Sequence, residues 1–152
     1  MAYSRKLLRQ IQSGMLGGSY TNDSGSTINR LIPVTIDIND KKIGPVDINN
    51  EAHVKGIFGV TIEDIASAKE GDVILAGKVE GMEQVAGISI SDVGKTVYIA
   101  ASGGITLDTP QIGVNSFVAG HFVVSIGILI KSVNNPSAGV DMILNIDILG
   151  QL

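Results

Sequence analysis

The sequence predicts a mainly β fold, a small β-barrel or β-sandwich body carrying an N-terminal helical arm. Three observations predict it. Apolar residues make up 44% of the 152 positions yet are dispersed among 19 glycines and many Ser, Asn and Asp residues, the composition of short strands joined by turns. From Leu31 onward, period-two alternation and short apolar runs recur. Only residues 4–13 place apolar side chains at helical spacing.

In that first stretch Ser4 is positioned as an N-cap, Leu7, Leu8, Ile11 and Met15 share one face, and Gly14 is a stop. A helix of about three turns is marginal alone in water and needs a surface to pack on. Residues 14–29 (GMLGGSYTNDSGSTIN) have the composition of a flexible Gly/Ser/Asn linker. The expected division is therefore an arm over residues 1–30 and a β-rich body over 31–152.

Within the body, Val34, Ile36 and Ile38 alternate with Thr35 and Asp37 and end at Asn39-Asp40, as in a half-buried strand. Further strands are expected at 57–62, 72–79, 85–90, 96–101, 105–107, 121–131 and 141–149. Eight segments with turn chemistry between them build a sandwich or a small barrel. Residues 65–70 (IASAKE) are compatible with a helical turn. One regularity suggests a duplicated hairpin unit over 56–82 and 122–150: Gly59 and Gly127 each precede a second glycine, Gly71 and Gly139, by the same interval, and each of those opens a strand. Chance recurrence in a glycine-rich chain is the alternative.

Charge and residue inventory narrow the function classes. The net charge is −4, and Arg5, Lys6 and Arg9 put +3 in the first ten residues, which leaves −7 for the rest. An acidic body binds phosphate poorly, so no nucleic-acid partner is expected. No run approaches the roughly 18 to 20 uninterrupted apolar residues of a membrane-spanning helix, and Arg9-Gln10 follows Leu7-Leu8 where a secretory signal needs apolar residues. The expectation is a soluble protein made in the cytoplasm with no membrane partner. Cysteine is absent, which excludes disulfides and thiolate metal sites.

Candidate chemistry is sparse. His53 and His121 are isolated in sequence, so a metal site there would need carboxylates converging from distant loops. Gly94-Lys95-Thr96 imitates the end of a phosphate-binding loop, but Ser89 stands where the pattern needs glycine, and Val97-Tyr98-Ile99 continues as a strand instead of a helix. Gly87-Ile88-Ser89-Ile90-Ser91 approaches a nucleophile elbow, with Ser91 in place of the second glycine. Glu63-Asp64 and Glu80/Glu83 are the nearest carboxylate pairs, and adjacent strand residues point to opposite faces. With six aromatic residues in all, stacked platforms for sugars or single-stranded nucleic acid are disfavoured. No catalytic residue, metal or cofactor is expected, and the chain is read as a non-enzyme. The side chains expected to bind a partner are those of the arm: Arg5, Lys6, Leu7, Leu8, Arg9 and Ile11.

Four stretches carry a more specific signal: Val93-Gly94-Lys95-Thr96-Val97-Tyr98-Ile99, Ser102-Gly103-Gly104-Ile105-Thr106-Leu107, Val123 to Ile130, and Met142-Ile143-Leu144-Asn145-Ile146. Together they resemble the small β modules of tailed-bacteriophage structural proteins, found in head decoration proteins, head fibres and tail-associated proteins. In those modules a VGxxVY strand leads into a glycine hairpin, a strand with a Gly-Ile step and a final strand pair. The resemblance covers roughly residues 54–149, and the chain up to about residue 50 has no counterpart. It implies a virion structural protein, a capsid decoration, cement or head-fibre protein on the outer surface of the particle. The partner implied is the major capsid protein or another virion structural protein, with homo-oligomers, trimers above all. A tail fibre or baseplate component is the near alternative. A bacterial carbohydrate-binding or adhesin-like β module is the alternative from another class.

Overall fold

The computed structural model describes residues 16–37 and 39–152. The expected helix over 4–13 and the arm residues Arg5 to Ile11 lie outside the described residues. The molecule is mainly β, with 44% strand and 8% helix, and is built on a closed five-stranded barrel with further strands added to it.

The barrel strands are β1 (Leu16–Asn22), β2 (Pro33–Asp37), β3 (Lys42–Pro45), β4 (Ile57–Thr61) and β5 (Glu70–Val79). Their order is β1-β3-β2-β4-β5, and β1 closes the ring by pairing parallel with β3 and antiparallel with β5. A short helix, α1 (Glu51–Lys55), joins β3 to β4; the Asn50 side chain caps it by accepting from the Ala52 and His53 amides. The remaining strands are β6 (Thr96–Ile99), β7 (Ile105–Thr106), β8 (Phe122–Lys131) and β9 (Val140–Gln151), ordered β9-β8-β6-β7 and joined to the barrel where β9 pairs with the end of β5.

Strand pairing follows from the burial pattern. Val73 and Ile74 are adjacent on β5, so they face opposite sides. Val73 packs with Ile28, Val34, Ile43 and Ile65. Ile74 belongs to the larger cluster, in which Val60, Val79 and Val54 of the barrel side meet Val97, Ile99, Val124, Ile126, Leu129, Met142 and Leu144 of the second sheet. A strand covered on both faces reads as a continuous apolar run, as Val73-Ile74-Leu75 does.

Three expectations are corrected. Residues 16–29, expected as a flexible linker, supply β1 and the buried Asn22 and Ile28. The Asn22 amide donates to Ser26 O and Ile65 O, each at 2.7 Å, and its oxygen accepts from the Ser24 amide and hydroxyl. The expected strand at 85–90 is instead a turn running between two 3-10 turns, Met82–Gln84 and Ile90–Asp92. There Gly87 at φ +85° and a Ser89/Asp92 capping box hold the backbone out of strand geometry. The stretch 65–70 is not a helix: Ile65 is pinned by a bridge to Ile28, a turn with Ala68 at φ +62° follows, and Glu70 opens β5.

The strands expected to form a repeat share more than a hairpin. In the first half β2 pairs with β3 and β4, and β4 pairs with β5; in the second, β6 pairs with β7 and β8, and β8 pairs with β9, all antiparallel. Gly59 stands opposite Val34, and Gly127 opposite Val97. At both glycines a Cβ would collide with a backbone carbonyl of the neighbouring strand, of Ile74 and Ile143 respectively. The same connectivity and the same close approach therefore recur, with β1 added only to the first half.

Candidate functional site

The residues singled out for chemistry are engaged in holding the fold. His53 lies at the rim of an open cleft with Thr35, Asp37 and Lys42, but its Nδ1 accepts from the Asp47 amide at 3.2 Å. His121 Nδ1 accepts from the Val118 amide at 3.3 Å, and its ring meets Phe117 edge-on at 6.0 Å. Each imidazole thus has one nitrogen committed to backbone. Gly94 takes φ +95° at the turn into β6, and Lys95 pairs with Asp92 at 2.8 Å. That contact holds the Asp92 carboxyl below the usual carboxylate range, with the Ser89 amide helping. Glu63 accepts from the Asp72 amide, Asp64 from the Arg30 amide and Glu83 from the Val140 amide. Glu80 pairs with Lys78 at 3.5 Å. Among the described residues no three His, Cys, Asp or Glu side chains are grouped to hold a metal ion. No helix of the described residues is long and apolar enough to cross a membrane.

One ionisable group stands apart. Asp141 is buried, its Oδ1 accepts from the Gly81 amide at 3.4 Å, and its Oδ2 has no hydrogen-bond partner, with Lys78 Nζ 3.9 Å away. Burial pushes its pKa up, and the Gly81 amide and Lys78 only partly oppose that. It sits where Arg30, in the loop before β2, donates to Glu80 O and Gln84 Oε1 of the turn that follows β5.

The surface offers two features suited to contact. The first is a groove of about 310 Å³ on the face of β6, β8 and β9 turned away from the core, lined by Thr96, Tyr98, Ser125, Ile128, Ile143 and Asp147 among others. Ile128 is 51% exposed, Ile143 45% and nearby Leu149 55%. The second is the loop from Asp108 to His121. Phe117, 1% exposed, anchors it, while Ile112, Val114 and Val118 project into solvent. Gly113 N donates to Phe117 O at 2.9 Å, Asn115 donates to Asp108, and Asn115 and Ser116 are held at φ +49° and +66°. Non-glycine residues in that region are strained, and the surrounding bonds hold them there.

Sequence reading placed the interaction surface on the arm and missed both features. A signal was present for the groove. Ile143 and Leu149 lie on the strand face that also carries Asn145 and Asp147, although only the opposite face, with Met142 and Leu144, meets the core. The four stretches that carry the phage-module resemblance fall together: Thr96–Ile99 is β6, the Gly103 turn at φ +90° leads to β7, and the last two are β8 and β9. No protein-family model, curated protein or solved structure matches the chain.

Proposed function

We propose that this chain is a non-enzymatic structural protein of a tailed-bacteriophage particle, bound to its outer surface as a capsid decoration, cement or head-fibre protein. The observation that carries the reading is the gathering of the four resembling stretches into one contiguous unit, β6-β7-β8-β9. The motif is made of turn and packing residues, so the likeness is one of module and not of chemistry. Two further features support a role in assembly. The histidines and most carboxylates of the candidate sites are spent on backbone contacts, and apolar side chains are presented on a braced loop. The partner in this reading is the major capsid protein or another virion structural protein, and the protein acts as a homo-oligomer, a trimer by the resemblance.

Quantitative mass spectrometry of purified particles beside the soluble fraction of the lysate tests the proposal. The expected result is this chain at a fixed ratio to the major capsid protein, with its peptides labelled by a reagent that does not enter intact heads. Recovery in the soluble fraction alone would overturn the reading. A fixed ratio to tail proteins in separated tails would move the chain to the tail.

A further inference from the structure

We propose that the groove on the outer face of β6, β8 and β9 binds a neutral, N-acetylated sugar, a pyranose ring carrying an acetamido group. The inference concerns a ligand of the chain itself and stands whether or not the chain belongs to a particle.

The first ground is the layout of the groove, which is built from two cross-strand rows. Thr96 pairs with Ile128 and Ile128 with Ile143; Tyr98 pairs with Ser125 and Ser125 with Asp147. Strand spacing makes each row about 10 Å across, and the step from Thr96 to Tyr98 sets the rows about 7 Å apart. Between them β9 adds Asn145, because a shift in its register with β8 places an extra residue on β9. A mainly apolar row therefore lies beside a polar one around a space of about 310 Å³. Small-molecule clefts begin at about that size, and this one suits a ligand with one apolar and one polar side.

The second ground is unspent hydrogen bonding. Among the described residues the side chains of Thr96, Tyr98, Ser125, Asn145 and Asp147 make no hydrogen bond or ion pair. By contrast, His53, His121, Glu63, Asp64 and Glu83 each accept from a backbone amide. The groove thus gathers three hydroxyls, an amide and a carboxylate, which together both donate and accept, as the hydroxyls of a sugar do. The third ground is charge. No Lys, Arg or His is among the described residues that line the groove, and Asp147 is its one ionisable carboxylate. An anionic ligand would meet that carboxylate with no cation to offset it, so the ligand is neutral.

The apolar row selects among neutral sugars. Ile128, Ile143 and Leu149 are half exposed, and a ring bearing hydroxyls alone leaves them poorly covered. An acetamido group brings a methyl to these side chains and an N–H that the Asp147 carboxylate or the Asn145 oxygen can accept. Tyr98 adds an aromatic surface for the C–H face of the pyranose, a single ring and not a stacked platform.

Titration of the full-length, nitrogen-15-labelled chain with triacetylchitotriose, followed through its amide NMR signals, tests the proposal. The expected result is saturable shifts confined to β6, β8 and β9, with a Kd of about 1 mM or tighter, and binding of cellotriose at least about tenfold weaker. Asn145→Ala and Leu149→Ala replace exposed side chains, so both should keep the parent melt and weaken binding several-fold. Tyr98→Ala should remove binding, with its melt measured alongside, and Ile112→Ala on the distant loop should leave binding unchanged. No saturable shift with either triacetylchitotriose or N-acetyllactosamine would overturn the proposal. So would shifts that map outside the groove, equal binding of cellotriose, or parent affinity in both Asn145→Ala and Leu149→Ala.

Discussion

Replacing Asp141 with asparagine should stabilise the protein near neutral pH and leave it unchanged in acid. The Asp141 carboxylate is buried, one of its oxygens has no hydrogen-bond partner, and Lys78 at 3.9 Å is too distant to donate directly. Burial raises the folded-state pKa, so the folded chain holds this proton more tightly than the unfolded chain. The stability linked to that proton is complete below the unfolded carboxylate pKa and is lost as pH rises through the folded one. Asparagine keeps an oxygen for the Gly81 amide and carries no charge to bury. The amide NH2 takes the place of the unpartnered Oδ2, so the relief is that of burying a neutral group where a charged one stood; with the attraction of the partly exposed Lys78 lost, the net gain is about 1 kcal/mol. In a chain of this length that is a rise in Tm of about 2–4 °C. Thermal and urea unfolding from roughly pH 3 to pH 8 read the effect, with parent and variant converging at the acid end. A variant less stable than the parent at neutral pH would refute the reasoning, because Lys78 would then more than repay the burial of the charge.

Other outcomes follow from the same structure. Asn22→Ala removes four side-chain hydrogen bonds and leaves Ile65 O without its Asn22 donor, so it should cost about 2–3 kcal/mol by urea unfolding. Gly127→Ala drives a Cβ into Ile143 O and the Met142 side chain and should cost at least about 2 kcal/mol, whereas Gly44→Ala, with open space around it, should stay within about 0.5 kcal/mol. Deleting residues 1–15 should leave a cooperatively folding body, while deleting residues 1–29 removes β1 and Ile28 and should abolish the cooperative melt seen by circular dichroism. Asn50→Ala should lower stability by about 1 kcal/mol through loss of the α1 cap.

What the sequence made legible depended on side-chain pattern. The strands β2, β4, β5, β8 and β9 were found because Val34 and Ile36, or runs such as Val73-Ile74-Leu75, carry the burial themselves. β1 was missed for the opposite reason. Gly17, Gly18, Ser19 and Thr21 contribute little apolar surface, and the strand is held by backbone pairing to β5 and by the buried Asn22 amide. β3 and α1 are four and five residues long, too short for either period to register. The turns at 82–92 were hidden because Val85 to Ile90 is mostly apolar and Ile88 and Ile90 alternate as strand residues do, while Gly87 and the capping box decide the backbone. At the candidate surface, the outer row of Ile143 and Ile128 was readable as excess apolarity. The braced loop was not, because its bracing comes from bonds inside the loop, Gly113 to Phe117 and Asn115 to Asp108, and from the burial of Phe117, none of which carries a sequence period.

Barrel closure by β1 has a consequence for synthesis. Tyr20 must wait for Gly71, its partner across β5, and Asn22 for Ile43, its parallel neighbour in β3. At roughly 5–20 residues per second on the ribosome, the earliest described strand is extruded several seconds before the edge it completes exists. Pairings of such long sequence separation carry a large loop-closure cost and form late. For that interval β1 is an unpaired strand, and its Gly-Gly-Ser core, low in β propensity and in apolar surface, is a poor template for pairing with another nascent chain.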